Sequence, residues 1–275
     1  MQIRHATGPD QIPSLPTAEL RSRFLVQELF VDDQISAVYS HEDRVVLVGA
    51  SPVTGELTLG SFPELRTDHF FERREGGIVN VGGAGTISVD GTVFNLDHGS
   101  CLYIGRGARD VRFASSGADP ARFYLFSAPA HTGYPTTLTP AGTGNVRELG
   151  DQSTSNRRTL NQYIHENGVR SCQVVMGVTT LHPGSMWNTM PGHTHDRRME
   201  AYLYFDLPAD ARVVHLMGEP TETRHLIVAD REAVISPSWS LHSGVGSASY
   251  SFVWAMAGEN QSFDDMDGVA ISDLQ

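Results

Sequence analysis

The chain has 275 residues, 32 of them acidic and 20 basic, for a formal net charge of -12. That field repels a phosphate backbone and argues against nucleic acid as a partner. No apolar run nears the roughly 18 residues that a membrane span needs, and residues 1–10 carry no apolar leader, so a cytoplasmic protein without membrane association is expected.

Taken in order, residues 17–30 predict a helix with Thr17 as N-cap and Leu20, Phe24 and Leu25 on its buried face. Short segments rich in Val, Ile, Tyr and Phe follow at 35–39, 45–48, 57–59, 78–81, 86–89, 101–104, 111–113 and 123–127. Their spacing of about ten residues, with Gly, Pro or Asp between, predicts an all-β sandwich or barrel. Asp90-Gly91 supplies the positive φ angles of a tight hairpin turn. Residues 128–156 turn to Pro, Thr, Gly and Ser and predict a linker. Residues 157–165 fit a helix through Leu160, Tyr163 and Ile164, or a strand through Thr159, Asn161 and Tyr163. The strand rhythm then resumes at 172–177, 201–205, 212–216, 223–228, 233–236 and 250–255. Cys101 and Cys172 both sit in apolar, strand-like surroundings, which predicts two buried thiols and no disulfide.

The halves echo each other. Residues 69–75, with two arginines and a closing glutamate, match 193–200, and 99–104 parallels 232–235. A repeat of about 125 residues predicts two copies of one β-barrel, divided as 1–135 and 136–275. The copies differ in chemistry. Residues 192–200 hold His193 and His195 at i, i+2, which share one face of a strand, and Glu200 five residues on; His242 stands downstream. Three imidazoles and a carboxylate suit zinc, iron, manganese or nickel, with zinc the usual occupant. The first copy has Phe71 in place of His195, and residues 105–109 offer no counterpart of His242. One metal per chain, in the C-terminal copy, is therefore expected.

His-x-His, then Glu, then a distant His preceded by Pro237, Ser238 and Trp239 resembles the double motif of the cupin barrels. The likeness narrows further. Residues 187–191, 193–200, 222–225, 233–240, 242–246, 258–261 and 263–267 resemble the 5-keto-4-deoxyuronate isomerase family. So do 24–26, 38–41, 71–75 and 82–86 in the first half, and 130–136, 149–151 and 154–159 between the halves. The resemblance covers essentially the whole chain. It implies an all-β bicupin of two tandem jelly-roll barrels with a few short helices, and one zinc per chain on His193, His195, Glu200 and His242. It further implies a hexamer, and a small-molecule keto-deoxyuronate as substrate. The implied reaction converts 5-dehydro-4-deoxy-D-glucuronate to 3-deoxy-D-glycero-2,5-hexodiulosonate, an aldose-ketose shift between C1 and C2 in the catabolism of pectin-derived unsaturated uronates.

Four protein ligands fill a structural tetrahedral site, so a catalytic zinc needs five-coordination or displacement of Glu200. Glu72, Glu75, His41, His131, Tyr202 and His225 are candidate bases drawn from the family-like strings. The arginine pairs 73–74, 157–158 and 197–198 can fork onto a carboxylate, and Arg197 or Arg198, beside the metal motif, are the first choice, with bracing of Asp196 or Glu200 as the alternative. Three other readings share the ligand set: an iron-dependent dioxygenase, an isomerase of 5-deoxyglucuronate, and a binding or storage bicupin whose metal only braces the barrel.

Overall fold

Strand-forming side chains on a two-residue period need short turns, and the expected hairpin shows how they are made. Asp90 and Gly91 take φ values of 49° and 84°, and Val89 pairs with Thr92 directly across the turn. The computed structural model describes every residue from Met1 to Gln275 and is built on two pairs of β-sheets. In the first pair a seven-stranded sheet runs in the order Gln2–Arg4, Ile35–Ser40, Val46–Ala50, Phe123–Pro129, Arg74–Asn80, Cys101–Ile104, Thr137–Thr139. Its companion has Leu57–Thr58, Val111–Ser115, Gly85–Val89 and Thr92–Leu96. In the second pair a seven-stranded sheet runs Asn145–Leu149, Arg158–Ile164, Val175–Leu181, Ser251–Gly258, Arg198–Phe205, Ala233–Ser236, Leu25–Val26. Its companion has Glu222–Val228, Val213–Glu219, His242–Gly246, Trp187–Thr194 and Asp267–Gly268. The fold is all-β, a pair of jelly-roll barrels of cupin type with a few short helices.

The residues gather into two compact units. One comprises Met1–Arg4, Glu28–Asn145 and Gln162–Met176; the other comprises His5–Gln27, Val146–Asn161 and Gly177–Gln275. The first is closed by an apolar cluster that includes Phe70, Phe71, Ile78, Phe113, Phe123 and Leu125, each almost fully buried. In the second, polar groups enter the interior: His195, Glu200, His215 and His242 are all buried.

Several expected elements differ. The helix covers Thr17–Phe24 only, with Pro16 rather than Thr17 at the N-cap. Leu25 and Val26 leave it to pair with Val234 and Ala233 at a sheet edge, where a β-branched side chain packs better than in a helix. The expected linker is not structureless: Thr137–Thr139 pairs with Cys101–Tyr103, and Asn145–Leu149 forms another edge strand. Prolines flank Thr137–Thr139, and edge positions are where a sheet tolerates them. Residues Arg158–Ile164 form a strand, which settles the ambiguous segment. Both cysteines are free thiols, Cys101 buried but Cys172 only half-buried, outside the strand that begins at Val175.

Candidate metal centre

Three elements bring the ligands together. His193 lies near the end of the strand Trp187–Thr194, directly opposite His242 on the antiparallel strand His242–Gly246, so both side chains share a face. His195 follows just beyond that strand. The amide of Arg198 returns to the carbonyl of His195 at 3.2 Å, and this turn through Asp196 and Arg197 carries the chain into the strand Arg198–Phe205. Glu200 sits on that strand between Ser236 on one neighbour and Met256 on the other.

The donor atoms converge. His193 Nε2 lies 3.0 Å from His242 Nε2, His242 Nε2 lies 2.9 Å from Glu200 Oε2, and His195 Nε2 lies 3.1 Å from the same oxygen. All four residues offer a ligand atom within 4.8 Å of the others. Fit to a cation follows from the hydrogen bonds behind the rings. His195 Nδ1 is 3.0 Å from the carbonyl of Arg198, and His242 Nδ1 is 3.3 Å from that of Ser240. A carbonyl only accepts, so both Nδ1 atoms donate, and a ring that carries no second proton turns an Nε2 lone pair toward an oxygen that is itself an acceptor. Lone pairs facing one another in a buried site call for positive charge between them, which a metal ion supplies. Charge states agree. Burial, with His242 nearby, holds His193 down at about 3, so its imidazole is neutral and ready to bind. Burial pushes Glu200 upward, but positive charge on His242 and hydrogen bonds from His195 and His242, present where protons stand in for the metal, outweigh it and hold the carboxyl well below its usual range.

Beside the cluster lies a cavity of about 320 Å³ that His193 and Glu200 help to line. Its floor is the inner face of the second seven-stranded sheet, because lining residues recur every second position: Arg158 and Leu160, Phe252, Trp254 and Met256, Glu200 and Tyr202. Its roof includes Thr189, Met190 and Pro191. These belong to an irregularity in the strand Trp187–Thr194, where Asn188 opposes Gly244 and His193 opposes His242. Five steps on that strand therefore face two on its partner, and Thr189 turns left-handed at φ 52°.

Of the six candidate bases, Tyr202 alone lines this cavity. Burial, followed by the charge of Glu200, lifts its hydroxyl far above the ordinary tyrosine value, so it stays protonated; it lies 3.0 Å from the Thr189 hydroxyl. Glu75 is buried elsewhere, accepting from Tyr103 Oη and from the amides of Cys172, Gln173 and Val174. Glu72 binds the Asp68 amide, while His41, His131 and His225 are exposed. Sequence reasoning passed over Asp264, an exposed acidic residue that is part of the cavity lining.

Arg197 and Arg198 do not line the cavity. Arg197 binds Asp265 at 2.6 Å and Asp267 at 2.8 Å, and Arg198 donates to the carbonyls of Ser262, Phe263 and Asp265. Both direct their hydrogen bonds to the segment 262–267, so the expectation that either receives a substrate carboxylate is not met by their partners; Arg198 also interacts with the charge of Glu200, which is the expected bracing in part.

A jelly-roll barrel that gathers three imidazoles and a carboxylate beside a cavity is a cupin with a metal-type centre. The model of the KduI/IolB family matches residues 24–271. A 4-deoxy-L-threo-5-hexosulose-uronate ketol-isomerase of Kineococcus radiotolerans is 68% identical over 279 aligned residues, with all of both chains covered. One from Escherichia coli is 51% identical, again over the whole of both chains. Among solved structures, an IolB-like protein of Salmonella typhimurium has a TM-score of 0.70 over 90% of this chain and 96% of its own at 14% identity, a likeness of fold. The chain belongs to the KduI/IolB family and is an isomerase. No helix in it is long and apolar enough to cross a membrane.

Proposed function

We propose that this chain is a zinc-dependent ketol-isomerase that converts 5-dehydro-4-deoxy-D-glucuronate to 3-deoxy-D-glycero-2,5-hexodiulosonate in the breakdown of pectin-derived uronates. One observation carries the reading: full-length identity to named ketol-isomerases combined with the cluster His193, His195, Glu200 and His242 at the wall of a substrate-sized cavity. Those four residues would hold one zinc per chain. Bound there, zinc acts as a Lewis acid toward the substrate's oxygens. The reaction moves one proton from C2 to C1 and one between the neighbouring oxygens, with no change in composition. Asp264 accepts the carbon-bound proton and returns it, and the protonated Tyr202 hydroxyl, held against Thr189, donates to a sugar oxygen. The apolar wall of Phe252, Met256 and Phe263 limits water beside the reacting carbons.

The same reading assigns the metal to the C-terminal domain, 136–275, leaves the N-terminal domain, 1–135, without one, and makes the working form a cytoplasmic hexamer. Support for the first point is local: Phe71 and Gly76 occupy the first barrel where the second has His195 and Glu200. The deciding test is turnover of 5-dehydro-4-deoxyuronate followed by NMR before chelation, after it, and with zinc restored. Appearance of the diulosonate, its loss on chelation and its return with zinc support the assignment. Folded, zinc-loaded protein that leaves the substrate untouched overturns it, and 5-deoxyglucuronate becomes the next substrate to try.

A further inference from the structure

Arg158 is a half-buried cation with no acidic partner. Its one hydrogen bond to the protein runs from Nη1 to the carbonyl of Asn156 at 2.9 Å, which leaves most of the guanidinium fork unused. Burial, partly offset by Tyr202 and Tyr250, lowers its proton affinity without approaching neutrality at physiological pH. A charge withdrawn from water and left uncompensated is costly, so its place on the wall of a ligand cavity points to a counter-charge brought by the ligand. A second observation lies on the same wall. Trp254 is 3% exposed, and its indole N–H has no hydrogen-bond partner. Arg147, exposed, adds a further cation to the lining.

Position completes the argument. In the sheet that floors the cavity, the strands Val175–Leu181 and Ser251–Gly258 separate the strand of Arg158 from the strand of Glu200. Three interstrand steps put those two strands about 14 Å apart, and Trp254 stands between them, paired with Tyr202. The metal-type cluster and the arginine thus mark opposite ends of one cavity. Resting on the isomerase reading, we propose that Arg158, with the Trp254 indole N–H and with Arg147 at the rim, is the carboxylate-binding end of the substrate site. A sugar acid would be held by its terminal carboxylate there, with its carbonyl end at the cluster. The net charge of -12 makes this local cationic end the feature that draws an anionic sugar in.

The test uses metal-loaded protein and separates this inference from the reaction itself. Calorimetric binding of D-glucuronate is compared with that of D-glucose, which lacks the carboxylate. The native protein is expected to prefer the acid by roughly ten-fold or more, the scale of a charge-assisted bidentate contact. Arg158→Gln abolishes the preference and leaves glucose binding unchanged. Arg158→Lys, which keeps the charge and loses the fork, retains a part of it, and serves alone should the Gln variant fail to fold. Trp254→Phe weakens binding of the acid less than Arg158→Gln does. In turnover of the keto-deoxyuronate, Arg158→Gln raises KM by roughly ten- to a hundred-fold with one metal per chain retained. Equal binding of acid and neutral sugar by the native protein, or a preference that survives in Arg158→Gln, overturns the proposal. Absence of turnover by native protein that still prefers the acid through Arg158 overturns the isomerase reading and upholds this one.

Discussion

The two barrels are alike in register and opposite in content. In each, a buried arginine opens the fifth strand of the seven-stranded sheet at matching positions: Arg74 stands opposite Pro129, and Arg198 opposite Gly258. Each bonds backbone carbonyls, those of Arg44 and Ser127 for Arg74 and those of Ser262, Phe263 and Asp265 for Arg198. Two residues further on, the barrels part. Glu200 sends its carboxylate into the second interior, whereas the corresponding Gly76 has no side chain, and a Cβ there would lie 2.5 Å from Leu125 and 3.3 Å from Phe71. Glu75, the apparent match of Glu200 in sequence, is one residue out of register. Since faces alternate along a strand, it points away from the barrel core and is buried against the amides of Cys172, Gln173 and Val174 instead. One scaffold therefore serves two ends: aromatic packing fills the first barrel, and the second keeps a cavity beside a polar cluster.

The sharpest way to break this contrast is to empty the second interior of one ligand. His242→Ala removes the atom nearest both His193 and Glu200. Bound metal, measured by elemental analysis, should fall from one per chain toward none, and kcat/KM should drop by roughly a thousand-fold or more, since Lewis-acid stabilisation is worth several kcal/mol. Full activity with metal absent would show that the cluster is not the reaction centre. The same size of change in the first barrel should act on stability alone. Phe71 is fully buried between Phe70 and the strand of Gly76, and Phe71→Ala should cost about 3–5 kcal/mol in denaturant unfolding by opening a cavity. Metal content should stay at one per chain. Loss of metal in that variant would mean that the first barrel also supports the site.

How much of this was legible beforehand depended on what each residue needed from its neighbours. His193 and His195 could be paired from spacing, because i, i+2 on extended chain is a local property, although His195 stands just past the end of its strand; Glu200 needed a turn after His195 and His242 a neighbouring strand, and the fold supplies both. The strands that carry two of those ligands were not legible: Trp187–Thr194 holds Asn, Met, Pro and Gly, and His242–Gly246 holds two glycines, so neither has strand-like composition. They are strands because their sheet neighbours pair with them, a non-local cause. The same blindness turned the edge strands Thr137–Thr139 and Asn145–Leu149 into a linker. For the arginines the error was one of direction. Arg197 and Arg198 lie beside the ligands in sequence, yet the turn at Asp196 and Arg197 points them at the segment 262–267. Arg158 belongs to one of three arginine pairs in the sequence, but its lack of an acidic partner exists only once Arg158–Ile164 is placed on the cavity floor.

The smallest expected effect separates those arginines. Arg197 is bound to Asp265 through two nitrogens and to Asp267 through one, and it holds the Asp265 carboxyl down at about 2. Its counterpart in the first barrel, Arg73, is largely exposed and meets only the neighbouring Glu72 at 3.4 Å. Arg197 also remains a third exposed, so solvent screens the network, and Arg197→Ala should lower stability only slightly in denaturant unfolding, less than Phe71→Ala does. Its influence on the site is indirect, through the segment that carries Phe263, Asp264 and Met266 into the cavity wall. Loosening that segment should raise KM by a few-fold at most, and to the same degree for an acidic and a neutral sugar, because no charge is withdrawn from the cavity. A KM increase confined to the acid would instead make Arg197 the carboxylate ligand and demote Arg158, the one outcome in which nearness along the chain would have been the better guide than the fold.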